Sequence, residues 1–476
     1  MTMSTELLRP ALNSPDVPPY LSGNYAPVHT ESSFQDLRVV GEIPRDLAGT
    51  FVRNGSNPRF RAEGRHHWFD GDGMLHAVQF EDGRASYTNR WVRTTAFLAE
   101  EKAGKSLFRG VTERPDFTNP LGPFKDSSNT DIVYHGGRLL SLWWLSGAAY
   151  VVRLPSLETC GTETWGGKMP TVSAHPKVDA MTGELLLFDY KPYPPYLTYA
   201  IVSRSGELVH QTTIDYPGPR LQHDLAITEH YTLFFDMTMM WDPELLKIGK
   251  TKVRFYRDRP GHIGILPRYA SGDKIRWFEV SPFYMYHTIN AWEEGDKVVL
   301  IGCKIEAPCV DDPMNPARQV PTIGVLRLEP MLYRWELDLA TGNVKEMQLD
   351  DALTEFPRMD NRALGRKTRY SYNQRFAPVP TLLFDGVIKY DIETKSSSAH
   401  SYPQGWFGGE VVFAPRIGST AEDDGYLVTF VVEEATGTSE AWVMDAKNMT
   451  APPLARVQIP QRVPTGYHAW WAPAGI

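Results

Sequence analysis

From Thr50 onward the chain is a succession of short apolar runs, each closed within a few residues by a turn carrying Gly, Asp or Asn. Runs lie at Leu75 to Phe80, Ala85 to Trp91, Asp131 to Tyr134, Leu139 to Trp144, Glu184 to Tyr190, Tyr199 to Val202 and Leu233 to Asp236. Others follow at Lys297 to Lys304, Arg334 to Asp338, Gly409 to Ala414, Tyr426 to Glu433, Glu440 to Asp445 and Ala455 to Ile459. Turns such as Asp82-Gly83, His135-Gly136-Gly137, Ser205-Gly206 and Thr341-Gly342 separate them. Runs this short, rich in β-branched and aromatic residues and bounded by turn formers, are strands rather than helices. The predicted class is all-β, and the rhythm is that of a propeller. No repeat of fixed period recurs, so the blades cannot be counted from self-similarity.

Residues 1 to about 35, rich in Pro, Ser and Asn, are expected to run as an arm over the surface, with a single propeller domain over 36–476. Three long non-periodic insertions, near 95–128, 237–275 and 305–330, are expected on one face as a lid, since loops of that length in a compact domain are usually functional. Ala96 to Ser106 and Asp242 to Ile248 read as short helices inside them, and Asp70-Gly71-Asp72-Gly73 as a tight hairpin. The apolar Met237 to Trp241, with Leu245 and Leu246, suits packing within the lid better than contact with a bilayer surface, although peripheral membrane contact stays open.

The net charge of -8 gives no reason to expect a nucleic-acid surface. Three cysteines, Cys160, Cys303 and Cys309, make no even framework, no secretory leader is evident and no long apolar run occurs, so a cytoplasmic location is expected. Oligomeric state is not legible.

Among thirteen histidines, four sit in comparable places: Ala174-His175-Pro176, Gln222-His223-Asp224, Tyr286-His287-Thr288 and Tyr467-His468-Ala469. His287 lies in an aromatic strand, sharing a face with Phe283, Met285 and Ile289 that should be buried. An imidazole in such a wall needs a partner for its ring nitrogens, and a metal is one. The gaps of 48, 64 and 181 residues are far outside local metal-binding spacings, so only a closed fold could unite the four. Taken singly, each is as well read as structural. Glu355 and Glu410 stand in strands or turns where a charge needs a reason, and a carboxylate taking the second N–H of a metal-bound imidazole is one. His66, His67 and His76, near the Asp-Gly segment, are read as bonding turn backbone.

These residues fall within motifs that resemble the carotenoid cleavage oxygenases, a family that also includes lignostilbene- and isoeugenol-cleaving enzymes. The matching segments are Phe51 to Pro58, His67 to Met74, Asn129-Thr130 with Tyr134 to Gly137, Ala174 to Pro176, Gln222 to Asp224, Tyr286-His287 with Asn290-Ala291, Glu355 to Arg358, Glu410 with Glu422 to Gly425, and His468. They occur in family order over about 35–470. The resemblance implies a seven-bladed β-propeller capped by a lid, with non-haem Fe(II) on the axis held by His175, His223, His287 and His468. It implies Glu355 and Glu410 as carboxylates behind the ligands and Thr130 beside an open iron position. The implied reaction is that of a dioxygenase: O2 adds across a carbon–carbon double bond of an apolar alkene, giving two carbonyl products.

Two departures from the family pattern bear on this. Where most relatives carry a third glutamate after the Leu139 to Leu142 strand, this chain has Trp144, whose indole cannot accept from an imidazole, so one histidine, His223, is expected to rely on a carbonyl or water. The stilbene-cleaving branch carries a lysine near Trp143 and a tyrosine near Val111, and neither is present. That favours a carotenoid or apocarotenoid substrate over a stilbene or phenylpropene. Tyr87, Lys125 and Tyr150 are the candidates for another phenol-binding group. Trp143, Trp144, Trp241, Phe283 and Tyr284 are candidate tunnel lining, with core packing the alternative for each. A propeller that binds a polyene without turnover, or isomerises it, is the remaining reading.

Overall fold

The computed structural model describes residues 19–248, 253–306, 309–312, 315–321, 329–379 and 381–475, with backbone alone for 309–312 and 315–321. Antiparallel four-stranded units radiate from one axis. In chain order the innermost strands of the second to seventh units are Asp131–His135, Lys177–Val178, Ala226–Ile227, Tyr284–Glu294, Thr354–Arg358 and Val412–Pro415. The first unit takes its innermost strand from the far end of the chain: Ala469–Pro473 pairs with Gly49–Arg53, which pairs with Met74–Glu81 and then Arg84–Trp91. Conversely, Val39–Gly41 forms the outer edge of the seventh unit by pairing with Ala455–Ile459. Strands near both ends of the described residues therefore join the ring and close it at the seam. The result is a seven-bladed propeller, as the resemblance implied. The sixth and seventh blades are further bonded into one ten-stranded sheet through Trp406–Gly408.

Several inner and middle strands are buried on both faces, which is why these segments read as near-continuous apolar runs; Leu185–Tyr190 and Gly425–Glu433 are examples. The outer strands Glu158–Glu163, Leu208–Thr213 and Ser396–Ser401 are largely exposed and polar, and carry no such signal.

Several expectations are corrected. Residues 19–34 are not a surface arm: Tyr20 and Tyr25 are buried against Trp68, and Ser32–Phe34 is the outer strand of the first blade. Residues 1–18 lie outside the described residues. The insertion placed at 237–275 ends near 260, because Gly261–Pro267 is the third strand of the fourth blade, pairing with Tyr231–Asp236. Its two glycines and short apolar stretch hid it. Met239–Trp241 pairs with Val253–Phe255, and Met237, Met239, Met240 and Trp241 are all buried, so this segment packs within the protein. The insertion near 305–330 is described only in part, as a hairpin of Cys309–Asp312 and Asn315–Pro321. The short helices are present as Thr95–Ala103, capped by the Thr94 hydroxyl, and Pro243–Lys247, capped by Asp242.

Asp70 to Gly73 is not a hairpin. Trp68–Asp70 is a single 3-10 turn closed by a capping box between His67 and Asp70, and the chain continues straight into Met74–Glu81. Gly73 is required by space, since a Cβ there would stand 2.4 Å from the Ser128 carbonyl oxygen.

Candidate metal centre

The four histidines stand at or just before the innermost strands of the third, fourth, fifth and first blades, where the chain arrives at the axis. One ligand atom from each lies within 4.8 Å of all the others, and all four side chains are buried. Nε2 of His175 and Nε2 of His223 are 3.1 Å apart. Two nitrogens at right angles about a metal, on bonds of about 2.1 Å, stand about 3 Å apart. Burial, reinforced by the neighbouring imidazoles, holds His175, His223 and His468 well below the usual histidine range. They are neutral, the form that ligates. Nε2 of His287 is buried without a hydrogen-bond partner among the described residues, which leaves its lone pair for the shared centre. The donor set fits a metal ion.

Two of the imidazoles are fixed from behind by carboxylates. His287 Nδ1 lies 2.5 Å from Glu355 Oε2, and His468 Nδ1 lies 3.0 Å from Glu410 Oε1. Each contact spends Nδ1–H and leaves Nε2 as the ligating atom. Glu410 also accepts from Ala469 N at 2.6 Å and pairs with Arg358 at 2.8 Å. Burial pushes its carboxyl up, and Arg358 opposes that shift. Local backbone aims these groups. The strand Tyr284–Glu294 breaks register against Lys297–Ile305 around Met285 and Thr288, so His287 sits in a bulge rather than in the plain alternation the sequence implied. His175 (φ 68°) and Phe356 (φ 49°) adopt the left-handed conformation, costly for non-glycine residues.

Around this cluster a polar link spans every blade interface. Asn54 of the first blade donates to the Ser128 carbonyl at 2.9 Å and to Ser141 Oγ at 3.1 Å, reaching the second. Asp131 accepts from His175 N at 2.9 Å, joining second to third. Lys177 Nζ meets Asp224 Oδ1 at 2.6 Å, joining third to fourth, and Asp224 Oδ2 accepts from both N and Oγ1 of Thr288 at 2.8 Å, joining fourth to fifth. Glu355 with His287, Arg358 with Glu410, and Glu410 with His468 close the remaining three.

The histidines separate two cavities. One is bordered by charged residues, among them Asp131, Lys177, Asp224, Arg358 and Glu410. The other is walled by aromatic and apolar side chains including Trp68, Phe69, Trp144, Tyr286, Phe356 and Leu382, and reaches Thr130, His223, His287 and His468. Thr130 spends its hydroxyl within the protein: Oγ1 donates to Asn129 Oδ1 at 3.0 Å and accepts from Trp144 N at 3.1 Å.

Of the predicted tunnel residues, Trp144 borders the apolar cavity. Trp143, Trp241, Phe283 and Tyr284 do not; Trp241 packs on Tyr190, Phe283 on Trp335 and Tyr284 on Tyr286. The proposed phenol groups are elsewhere and engaged. Lys125 is buried between Asp72 and Glu100, Tyr87 bonds His76 and Gln461, and Tyr150 accepts from Thr95 N. Sequence reasoning missed Trp68, Phe69, Tyr286, Phe356 and Tyr467 on the wall. Three of them directly adjoin His287, Glu355 or His468 in sequence, a signal that was there to use. Among the described residues no carboxylate bonds the His223 ring; its neighbour is Tyr286, whose ring stands nearly perpendicular to it at 4.8 Å.

Fold and site together define a propeller with a buried four-histidine cluster, fit for a metal ion, at the end of an apolar cavity. Residues 25–473 match the family model described as retinal pigment epithelial membrane protein, RPE65. The chain belongs to the carotenoid cleavage oxygenase family. It is 36% identical to carotenoid 9,10(9′,10′)-cleavage dioxygenase 1 of Arabidopsis thaliana, over 94% of this chain and 89% of that one. It is 32% identical to isoeugenol monooxygenase of Pseudomonas putida, over 95% and 98%. Among solved structures, lignostilbene dioxygenase of Pseudomonas brassicacearum superposes with a TM-score of 0.88 at 30% identity, covering 96% of this chain and 99% of that one. Apocarotenoid oxygenase of Synechocystis, in a mutant form, gives 0.83 at 29%, covering 95% and 98%. The protein is thus an oxygen-incorporating oxidoreductase. Among the described residues no helix is long and apolar enough to cross a membrane.

Proposed function

We propose that the chain is a non-haem Fe(II) dioxygenase that cleaves one carbon–carbon double bond of an apocarotenoid or carotenoid, both atoms of O2 ending in two carbonyl products. The observation that carries this is the convergence of four buried imidazoles on one wall of an apolar cavity. His175, His223, His287 and His468 would hold the iron, which supplies O2 activation when bound. Four neutral ligands leave the ion's charge undiminished and coordination positions open. Glu355 and Glu410 fix the His287 and His468 rings. Thr130, its hydroxyl already engaged, shapes the wall beside the centre instead of ligating. The aromatic walls place the alkene and exclude water. The insertion at 95–128 serves as part of the lid, and its Val111 N donates to Asp70 Oδ1 at 2.6 Å, next to cavity residue Phe69.

Cleavage of a stilbene or phenylpropene is the second reading, supported by the superposition on lignostilbene dioxygenase. The deciding experiment follows the absorbance of an apocarotenal with Fe(II)-loaded protein in air and without oxygen. Oxygen-dependent bleaching with shorter carbonyl products supports the first reading. Iron-loaded protein that leaves the polyene intact and cleaves a hydroxystilbene or isoeugenol supports the second. His287→Ala, which removes a ligand, should lose both iron and turnover.

A further inference from the structure

The charged cavity beside the histidines takes no part in holding an alkene, yet it borders His175, His287 and His468, three of the four clustered imidazoles. Its border is graded. Asn361 is exposed, Lys177, Arg358 and Trp470 are partly buried, and the histidines are buried. It therefore runs from the surface to the cluster. The apolar cavity has no such margin: apart from the partly buried Phe69, every residue bordering it is buried.

The two sides also differ in charge. Three carboxylates, Asp131, Asp224 and Glu410, stand against two cations, Lys177 and Arg358, on the border of the charged cavity, so those side chains leave one negative charge in excess. Lys177 pairs with Asp224 at 2.6 Å and Arg358 with Glu410 at 2.8 Å. Asp131 instead accepts from the backbone N of Ile132 and of His175, at 2.8 and 2.9 Å. Its carboxylate lies 3.7 Å from Nδ1 of His175. A cleft with an excess of one sign of charge concentrates ions of the other sign. An apolar wall does the reverse, because a divalent ion there would shed water with no polar group to replace it. A hydrated cation and an alkene need opposite surroundings, and the cluster has one of each.

Resting on the reading of the four histidines as a metal site, we propose that the charged cavity is the route by which a divalent metal ion enters and leaves the cluster, the apolar cavity being kept for the alkene. Asp131 and Glu410, each beside an imidazole of the cluster, draw the ion inward. The ion exchanges water for imidazole nitrogen with no change of oxidation state. The side chains that border the route also link the blades, so its width follows the closure of the ring. Metal can then exchange while the apolar cavity is occupied.

The test sets a charge at the mouth of the route, at Asn361, which belongs to neither the polar ring nor the cluster. Full-length protein loaded with cobalt(II), whose visible absorption reports coordination, is mixed with a chelator, and the stripped protein is then reloaded. The proteins are wild type, Asn361→Asp, Asn361→Arg and, as a control for net charge, Ser397→Arg on the exposed outer strand of the sixth blade. At low ionic strength Asn361→Asp should speed both release and uptake about threefold and Asn361→Arg should slow both about threefold. One path serves both directions, so the dissociation constant should stay within about twofold of wild type while high salt erases the rate differences. Ser397→Arg should match wild type. Equal rates in all four proteins, both Asn361 variants shifting in one direction, or a slowing that Ser397→Arg shares overturns the route. If the stripped protein does not stay folded, release alone decides. Protein that holds no cobalt overturns the metal-site reading and the route together; cobalt that is held but exchanges without regard to the charge at Asn361 overturns the route alone.

Discussion

Glu355 and His287 come from the inner strands of adjacent blades, 68 residues apart in the chain, and meet at 2.5 Å behind the metal cluster. The pair joins the fifth blade to the sixth and sets the tautomer of a ligand, so one contact serves both fold and chemistry. Glu355→Gln keeps an acceptor for Nδ1–H but removes the carboxylate. Iron affinity, measured by competition with a chelator, should fall about 10- to 100-fold with the fold intact by circular dichroism. Unchanged affinity would mean the carboxylate is there for blade packing alone.

Trp144 offers the opposite experiment. Trp144→Glu returns a carboxylate to the position where the family usually has one and should slow iron loss about tenfold, by giving the His223 ring an acceptor. It also puts a charge in an aromatic wall, so KM for an apolar alkene should rise. Iron retention and substrate binding should therefore move in opposite directions in one variant.

Asp224 bonds Lys177 on one side and Thr288 on the other, linking three consecutive blades. Asp224→Ala leaves the Lys177 ammonium without its partner and two Thr288 donors unsatisfied. The cost should be about 3 kcal/mol or more, read from urea unfolding of the metal-free protein. A loss below 1 kcal/mol would show that apolar blade packing carries these interfaces without the polar ring.

His66 is buried with both ring nitrogens unpaired among the described residues, and burial pushes it down to about 3. Folded, it is neutral; unfolded, it takes up a proton below about pH 6.5. Its contribution to stability is therefore complete above pH 6.5 and is lost as pH falls toward 3. Between pH 7.5 and 5 this amounts to about 2 kcal/mol. His66→Phe, similar in shape and without the titrating group, should lose about that much less stability than wild type over the same interval. Parallel pH dependences would rule His66 out as a source of acid sensitivity.

The sequence carried the strand order well where strands are buried on both faces. Tyr426 to Glu433 and Glu440 to Asp445 are buried along nearly their whole length and are read within a residue of their strand bounds. It carried little at the blade rims, where Ser396–Ser401 has almost no apolar residue, and little at Gly261–Pro267, which sits in a long insertion. The four histidines were legible as a set through motif order, although nothing in their spacing says that they converge. The bulge that turns His287 was not legible, because register depends on the partner strand. The cavity wall was read too far along the strands: Tyr284 was chosen, while Tyr286, immediately before the ligand, is the residue that faces it. Lys125 and Tyr87 were plausible phenol contacts on residue type alone, but a long polar side chain is committed by whichever charge or acceptor the fold brings nearest.

The chain of polar links around the axis gives the metal a role as a gauge. Its ligands come from four different blades, and both ends of the polypeptide enter the ring, so parting any one interface moves at least one imidazole away from the others. A metal held by the four histidines would bind the closed ring and not the opened one, so each tenfold excess of free metal over its dissociation constant would add about 1.4 kcal/mol to the cost of opening. The rate at which bound iron escapes to a chelator would then be a clock for the breathing of the whole propeller, and substitutions in the polar ring, Asn54 and Asp224 among them, should change that rate.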